Sequence, residues 1–176
     1  MSRRSVTVRT VRTRRRGKKW SPVLIEISGN QLNIPGQQSS GWSIPLCTNS
    51  ANTDTAPTAT VIKCGNFKVS FEIETGAANY NAVTGRVYIM FVPQGVTADY
   101  NWPKAHPEYI MGWRHVQVGG NTSSVTIQSR LKRNLNSGDS IVLIAQIWNY
   151  MTNTEQEHNV IVAKLVGACT YVCCNN

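Results

Sequence analysis

Phe67, Val69, Phe71 and Ile73 alternate with Lys68, Ser70, Glu72 and Glu74. Period two is the pattern of a strand with one buried face and one wet face. The same alternation runs through residues 113–118. It returns in residues 125–133, with Val125, Ile127 and Leu131 taking the inward side. Residues 23–27 form a short first strand, stopped by Ser28, Gly29 and Asn30. Residues 58–64 form another, broken or bulged at Gly65 and Asn66. Residues 86–92 form a strand closed by Pro93. Residues 140–148 are apolar almost throughout and read as a central strand. Residues 159–166 are the last long strand, with a bend at Gly167 before Cys169.

Between these runs lie turn residues. Residues 37–57 are mostly polar and contain Gly41, Pro45 and Pro57, so they read as a long loop pinned by Trp42, Ile44 and Leu46. Residues 76–85 and 119–121 are turns, and residues 136–139 a tight one. Residues 94–106 form a loop carrying Tyr100, Trp102 and Pro103. Residues 107–111 look like one helical turn, because Pro suits the first helical position and Glu the first turn; Gly112 ends it. Residues 149–157 read as a polar hairpin loop. The total is about eight strands and no helix of three turns, which excludes Rossmann and TIM architectures and fits a sandwich. The long loops favour a jelly roll over an up-and-down barrel.

Charge divides the chain in two. The 176 residues carry 18 Lys and Arg against 9 Asp and Glu. Residues 1–19 hold nine of those cations and no acid: Arg3, Arg4, Arg9, Arg12, Arg14, Arg15, Arg16, Lys18 and Lys19. The remaining 157 residues hold nine basic and nine acidic side chains, a net charge of zero. The first 19 residues have too little apolar surface to offset chain entropy, so a disordered arm is expected there. The body is expected to start at Trp20. The domains are therefore a basic arm, 1–19, and a β-domain, 20–176.

Arginine pairs bidentately with phosphate and keeps its charge at any relevant pH. An arm of this kind binds nucleic acid through the backbone, without sequence preference, and loses affinity steeply with salt. Trp20 either stacks on a base or anchors the arm on the body. Residues 14–19 also have the length and charge of a nuclear import signal. A mitochondrial transit peptide would need an amphipathic helix, which Val6, Val8, Val11 and the interleaved threonines disfavour. A secretory signal would need an apolar segment behind the basic residues, and none follows. No apolar window is long enough for a membrane helix, so no membrane insertion is expected.

Catalytic constellations are not apparent, and no enzyme activity is expected. His106, His115 and His158 read as surface or locally satisfied histidines. Glu72 and Glu74 share one strand face, which suits a glycosidase pair in principle and exposed strand carboxylates in practice. Gly119-Gly120 lacks the Lys and Ser/Thr of a phosphate loop. Asn121-Thr-Ser123 matches a glycosylation sequon, but export is not expected. The five cysteines, Cys47, Cys64, Cys169, Cys173 and Cys174, read as free thiols and apolar filler. Cys169 and Cys173 share a strand face and Cys174 points away, so zinc is not expected. No cofactor is implied.

A basic arginine-rich arm followed by a helix-poor body of about eight strands resembles the plan of viral coat proteins. The chain looks like the capsid proteins of small circular single-stranded DNA viruses of the circovirus and nanovirus kind. Small satellite RNA viruses share this plan. The resemblance implies an all-β, eight-stranded single jelly-roll sandwich with a disordered basic arm. It implies about 60 self-assembling copies in an icosahedral, T=1 shell, with the loops making intersubunit contacts and the arms facing a packaged genome. It places the protein in the virion, and in the host nucleus during assembly, with single-stranded DNA as favoured partner and a host receptor of unassigned chemistry. Tyr80, Tyr100 and Trp102 either join those intersubunit contacts or anchor their own loops. The residue His106-Pro-Glu-Tyr-Ile-Met-Gly-Trp113 segment has no assigned role. Two other classes remain: a cellular β-domain that binds nucleic acid through its sheet, and a carbohydrate-binding or enzymatic sandwich with an incidental tail.

Overall fold

The alternation in residues 67–74 sets the architecture. In a computed structural model, which describes residues 19–50, 61–75, 83–117, 123–150 and 160–175, those residues lie in one long strand. The strands are β1 (Ser21–Ser28), β2 (Leu32–Ile34), β3 (Gln38–Thr48), β4 (Ile62–Thr75), β5 (Val83–Val92), β6 (Ile110–Gln117), β7 (Ser123–Leu135), β8 (Ser140–Asn149) and β9 (Ile161–Asn175). A four-residue helix, α1 (Trp102–Ala105), and a 3-10 turn (Pro107–Tyr109) lie between β5 and β6.

The antiparallel ladders nest. β1 and β2 pair with β9, β3 with β8, β4 with β7, and β5 with β6. Two further ladders, β4 with β9 and β5 with β8, join these pairs into two sheets. One sheet has the order β1-β9-β4-β7 with β2 beside β9, and the other the order β3-β8-β5-β6. A chain doubled on itself in this way and wrapped into a two-sheet sandwich is a jelly roll. The expected fold class holds, with the three-residue β2 as an extra strand.

The core fills the space between the sheets. Phe67, Val69, Phe71 and Ile73 of β4 meet Val87 and Ile89 of β5 and Leu143, Ala145 and Ile147 of β8. β5 and β8 are the inner strands of their sheet, and their other face is covered too. Tyr88, Met90, Val92, Val142 and Ile144 form a second buried cluster beneath Tyr100, Trp102 and Tyr109 of the β5–β6 connection. Burial on both faces explains why residues 140–148 read as an almost continuous apolar run.

Several expectations need correction. The loop expected from residue 37 is instead strand β3 up to Thr48. Trp42, Ile44 and Leu46 are the alternating inward positions of that strand, and its Gly and Pro content misled the reading. β3 is an edge strand, paired with β8 alone, and its ladder shifts between Pro45 and Cys47. An edge and a bulge are where a sheet tolerates proline. Residues 83–85, read as turn, open β5. The loop at residues 94–106 contains α1. The helical turn from Pro107 stops at Tyr109, and Gly112 lies inside β6 rather than ending a helix. Leu131, placed inward, is 52% exposed. The ladder of β9 with β4 runs through Gly167 without a shift, from Thr170 to Ala163. A Cβ at residue 167 would overlap the Ser70 carbonyl and crowd Phe71, so glycine permits close approach of the two strands. Residues 1–18 of the expected arm, Tyr80, Gly119-Gly120, Asn121 and Thr122 of the sequon, and His158 lie outside the described residues.

Candidate nucleic-acid interface

Of the residues expected to bind nucleic acid, Lys19 and Trp20 are described; Arg3, Arg4, Arg9, Arg12, Arg14, Arg15, Arg16 and Lys18 lie outside the described residues. Lys19 is exposed and Trp20 half-buried. The Lys132 Nζ sits 4.8 Å from the centroid of the Trp20 ring, within the range of a cation–π contact. Trp20 is thus held against the body by a lysine of β7.

The outward face of the first sheet carries the charge that surrounds this point. In β4 the inward side is apolar, so Lys63, Lys68, Glu72 and Glu74 point outward. In β7, Ile127 and Ser129 are buried while Gln128, Arg130 and Lys132 are exposed. The registers fix their neighbours. Lys68 lies opposite Gln128 of β7 and Thr170 of β9, and Gly65 lies opposite Lys132. Ser21 of β1 and Cys64 of β4 both pair with Cys173. Trp20 therefore enters at the Cys64 end of the face, level with Lys63 and against Lys132, with Lys68 and Arg130 further along their strands. At the other end stand Glu72 and Glu74, with Lys164 directly opposite Glu74. The neutral body is polarised along this sheet, basic where the arm joins it.

β4 bulges within the basic end. Its ladders shift between Gly65 and Phe67 against β7, and between Gly65 and Lys68 against β9. Asn66 takes a left-handed backbone with φ 55°, a conformation that asparagine tolerates better than most residues. The bulge opens a groove of about 410 Å³ lined by Asn66, Phe67, Lys68, Gln128, Ser129 and Arg130. A second groove of about 400 Å³ adjoins it across Gln128 and is lined by Trp113, Arg114, Thr126 and Ile127 as well. Arg114 donates from Nη1 to the Thr126 carbonyl at 2.9 Å, which fixes its guanidinium at the rim. No acid lines either groove.

The cysteines form a different cluster. Cys47 of β3 and Cys64 of β4 face each other between the sheets, Sγ to Sγ 3.2 Å. The Cys64 thiol supports a thiolate at Cys47 by hydrogen bonding, with help from the Tyr171 hydroxyl and against burial, and brings Cys47 down to about 7. The shared proton and burial push Cys64 up in turn. Burial pushes Cys169 up to about 12. Among the described residues no group of three His, Cys, Asp or Glu side chains could hold a metal ion.

His106 links α1 to the 3-10 turn. Its ring lies 3.9 Å from that of Trp102, and Nδ1 lies 3.1 Å from Glu108 Oε1. Glu108 is lowered by its own backbone amide and by His106. His115 Nε2 bonds Thr84 Oγ1 at 2.7 Å. Both histidines are satisfied locally. Within the segment from His106 to Trp113, Tyr109 and Ile110 pack with Tyr100 and Trp102 over the second cluster, and Met111 joins the main core. Tyr100 and Trp102 anchor their own loop.

No protein-family model and no curated protein matches the sequence. Several solved virus structures align with the chain. The structure of Desmodium yellow mottle tymovirus aligns with 98% of this chain and 95% of its own at 14% identity and a TM-score of 0.39. Sacbrood virus of honeybee aligns with 81% of this chain and 66% of its own at 10% identity and a TM-score of 0.41. A semi-empty virus-like particle of the nodavirus of the giant freshwater prawn Macrobrachium rosenbergii aligns with 98% of this chain and 94% of its own, at 10% identity and a TM-score of 0.34. The jelly-roll assignment stands on the nested ladders of this chain.

The grooves were not expected from the sequence. The cations of the bulge groove, Lys68 of β4 and Arg130 of β7, lie more than 60 positions apart in the chain, and only the register joins them. Gly65-Asn66 inside an alternating run was the one local signal of the bulge.

Proposed function

We propose that the chain is a viral capsid protein. The jelly-roll bodies assemble into a closed icosahedral shell of about 60 copies with T=1 symmetry. The arginine-rich arms hold a packaged single-stranded genome, with DNA favoured. The observation that carries this reading is the partition of charge: nine cations and no acid in residues 1–19, and zero net charge in the remainder. Neutral bodies crowd together without mutual repulsion, while a charged arm neutralises phosphates. The role is structural rather than enzymatic. Assembly in the host nucleus, directed by residues 14–19, and release in the virion belong to the same proposal.

Deletion of residues 1–19 tests the division of labour. Shells should persist while most of the copurified nucleic acid falls away. A truncated body that binds nucleic acid as tightly as the full chain, and forms no shell, would favour a second reading: a cellular nucleic-acid-binding β-domain. The basic end of the first sheet is the specific observation on that side.

A further inference from the structure

We infer that the body itself carries a binding site for the sugar-phosphate backbone of a single-stranded nucleic acid, in the bulge groove between Lys68 and Arg130; this rests on the proposed packaging of such a strand. Four observations converge on it. The groove is flanked by one cation from each strand, and no acid lines it. Asn66 and Gln128 add amides that both donate and accept, which suits base edges and sugar oxygens beside a phosphate. Arg130 and Lys132 are both exposed and lie two residues apart in β7, so cations continue along the strand beyond the groove. They lead to Trp20, where the arm begins.

The geometry favours a single strand over other polyanions. A single-strand site combines a cationic groove with aromatic faces. Trp113 stands at the rim of the adjoining groove, 59% exposed. Its other neighbour is Tyr88, 6.5 Å between ring centroids, so the ring is held in place while much of its surface stays open. A sulfated polysaccharide or a membrane surface would use the cations but offers no planar base to stack on Trp113. A strand leaving the arm at Trp20 would run over Lys132, into the bulge groove and across Gln128 toward Trp113. The body's zero net charge conceals this path because Glu72 and Glu74 stand at the opposite end of the face.

The test is the salt dependence of binding by the full chain, freed of copurified nucleic acid, to oligothymidylate and to oligouridylate. Each single-strand phosphate contact contributes about 0.7 to the slope of log affinity against log salt. The double variant Lys68→Gln/Arg130→Gln should lower the slope by about 1.4. The variant Lys104→Gln/Lys164→Gln removes the same charge elsewhere and should leave the slope unchanged. Lys68→Gln alone should lower it by about 0.7, a reading that survives if the double variant misfolds. Equal effects of the two double variants would overturn the groove site while leaving the packaging proposal intact. A wild-type chain that binds neither oligonucleotide would overturn both. Binding of DNA and RNA with the same slope supports a backbone site; loss of the groove effect with both probes refutes it.

Discussion

At the scale of single residues, the Cys47–Cys64 pair gives a sharp pH dependence. Cys47 ionises near 7 because a second thiol donates to it. The thiolate is the reactive form, so alkylation of native protein should mark Cys47 first, with its rate rising through about pH 7. Replacing Cys64 with Ala removes the donor and should move that midpoint up toward the free-thiol value of about 8.5. Peptide mapping across a pH series checks both, and an unmoved midpoint would contradict the pairing. Gly167 offers a second check. Gly167→Ala should destabilise by about 1–3 kcal/mol, the usual range for overpacking, because the new methyl meets the Ser70 carbonyl and Phe71. Chemical denaturation measures it. Neither feature was legible in the sequence. The cysteines read as inert filler because residues 17 apart in the chain give no hint of meeting between sheets. Gly167 read as a bend because a strand glycine signals either a bend or a close approach, and only the partner strand decides.

At the scale of elements, β4 was the most legible part of the chain and β3 the least. β4 buries one face only, so its pattern alternates in the open. β3 is an edge strand whose outward positions are Ser, Pro and Thr; polar composition masked the strand, although Trp42, Ile44 and Leu46 stood out as the residues that pin it to the body. β5 and β8 were legible as strands, although their two-faced burial became intelligible only once the roof of Tyr100, Trp102 and Tyr109 was seen. The energetic weight of β4 follows from its burial. Phe71 is almost fully buried, and Phe71→Ala should cost about 3–5 kcal/mol, read as a lowered denaturation midpoint. The bulge is the element on which the groove depends. Asn66→Gly should keep it, since glycine takes φ 55° freely. Asn66→Val should cost about 1–2 kcal/mol, because a branched residue resists the left-handed region. Equal stability of these two variants would mean that the bulge is not held in that conformation.

At the scale of the whole molecule, charge and fold answer different needs. Nested ladders bring β1 and the arm root to one end of the first sheet. The register gathers Lys63, Lys68, Arg130 and Lys132 at that same end. The net charge of the two segments was plain from the sequence, whereas the polarity within the neutral body needed the three-dimensional pairing. A shell subunit in this account is a neutral sandwich with a charged end directed at cargo. Electron microscopy of the purified full-length protein, with the ratio of absorbance at the nucleic-acid and protein maxima read on the same sample, tests that claim most directly. The account predicts uniform closed particles on the order of tens of nanometres across, the size set by about 60 domains of this length, that carry nucleic acid. Protein that stays strictly monomeric across salt and pH, with a nucleic-acid-free absorbance, would contradict it.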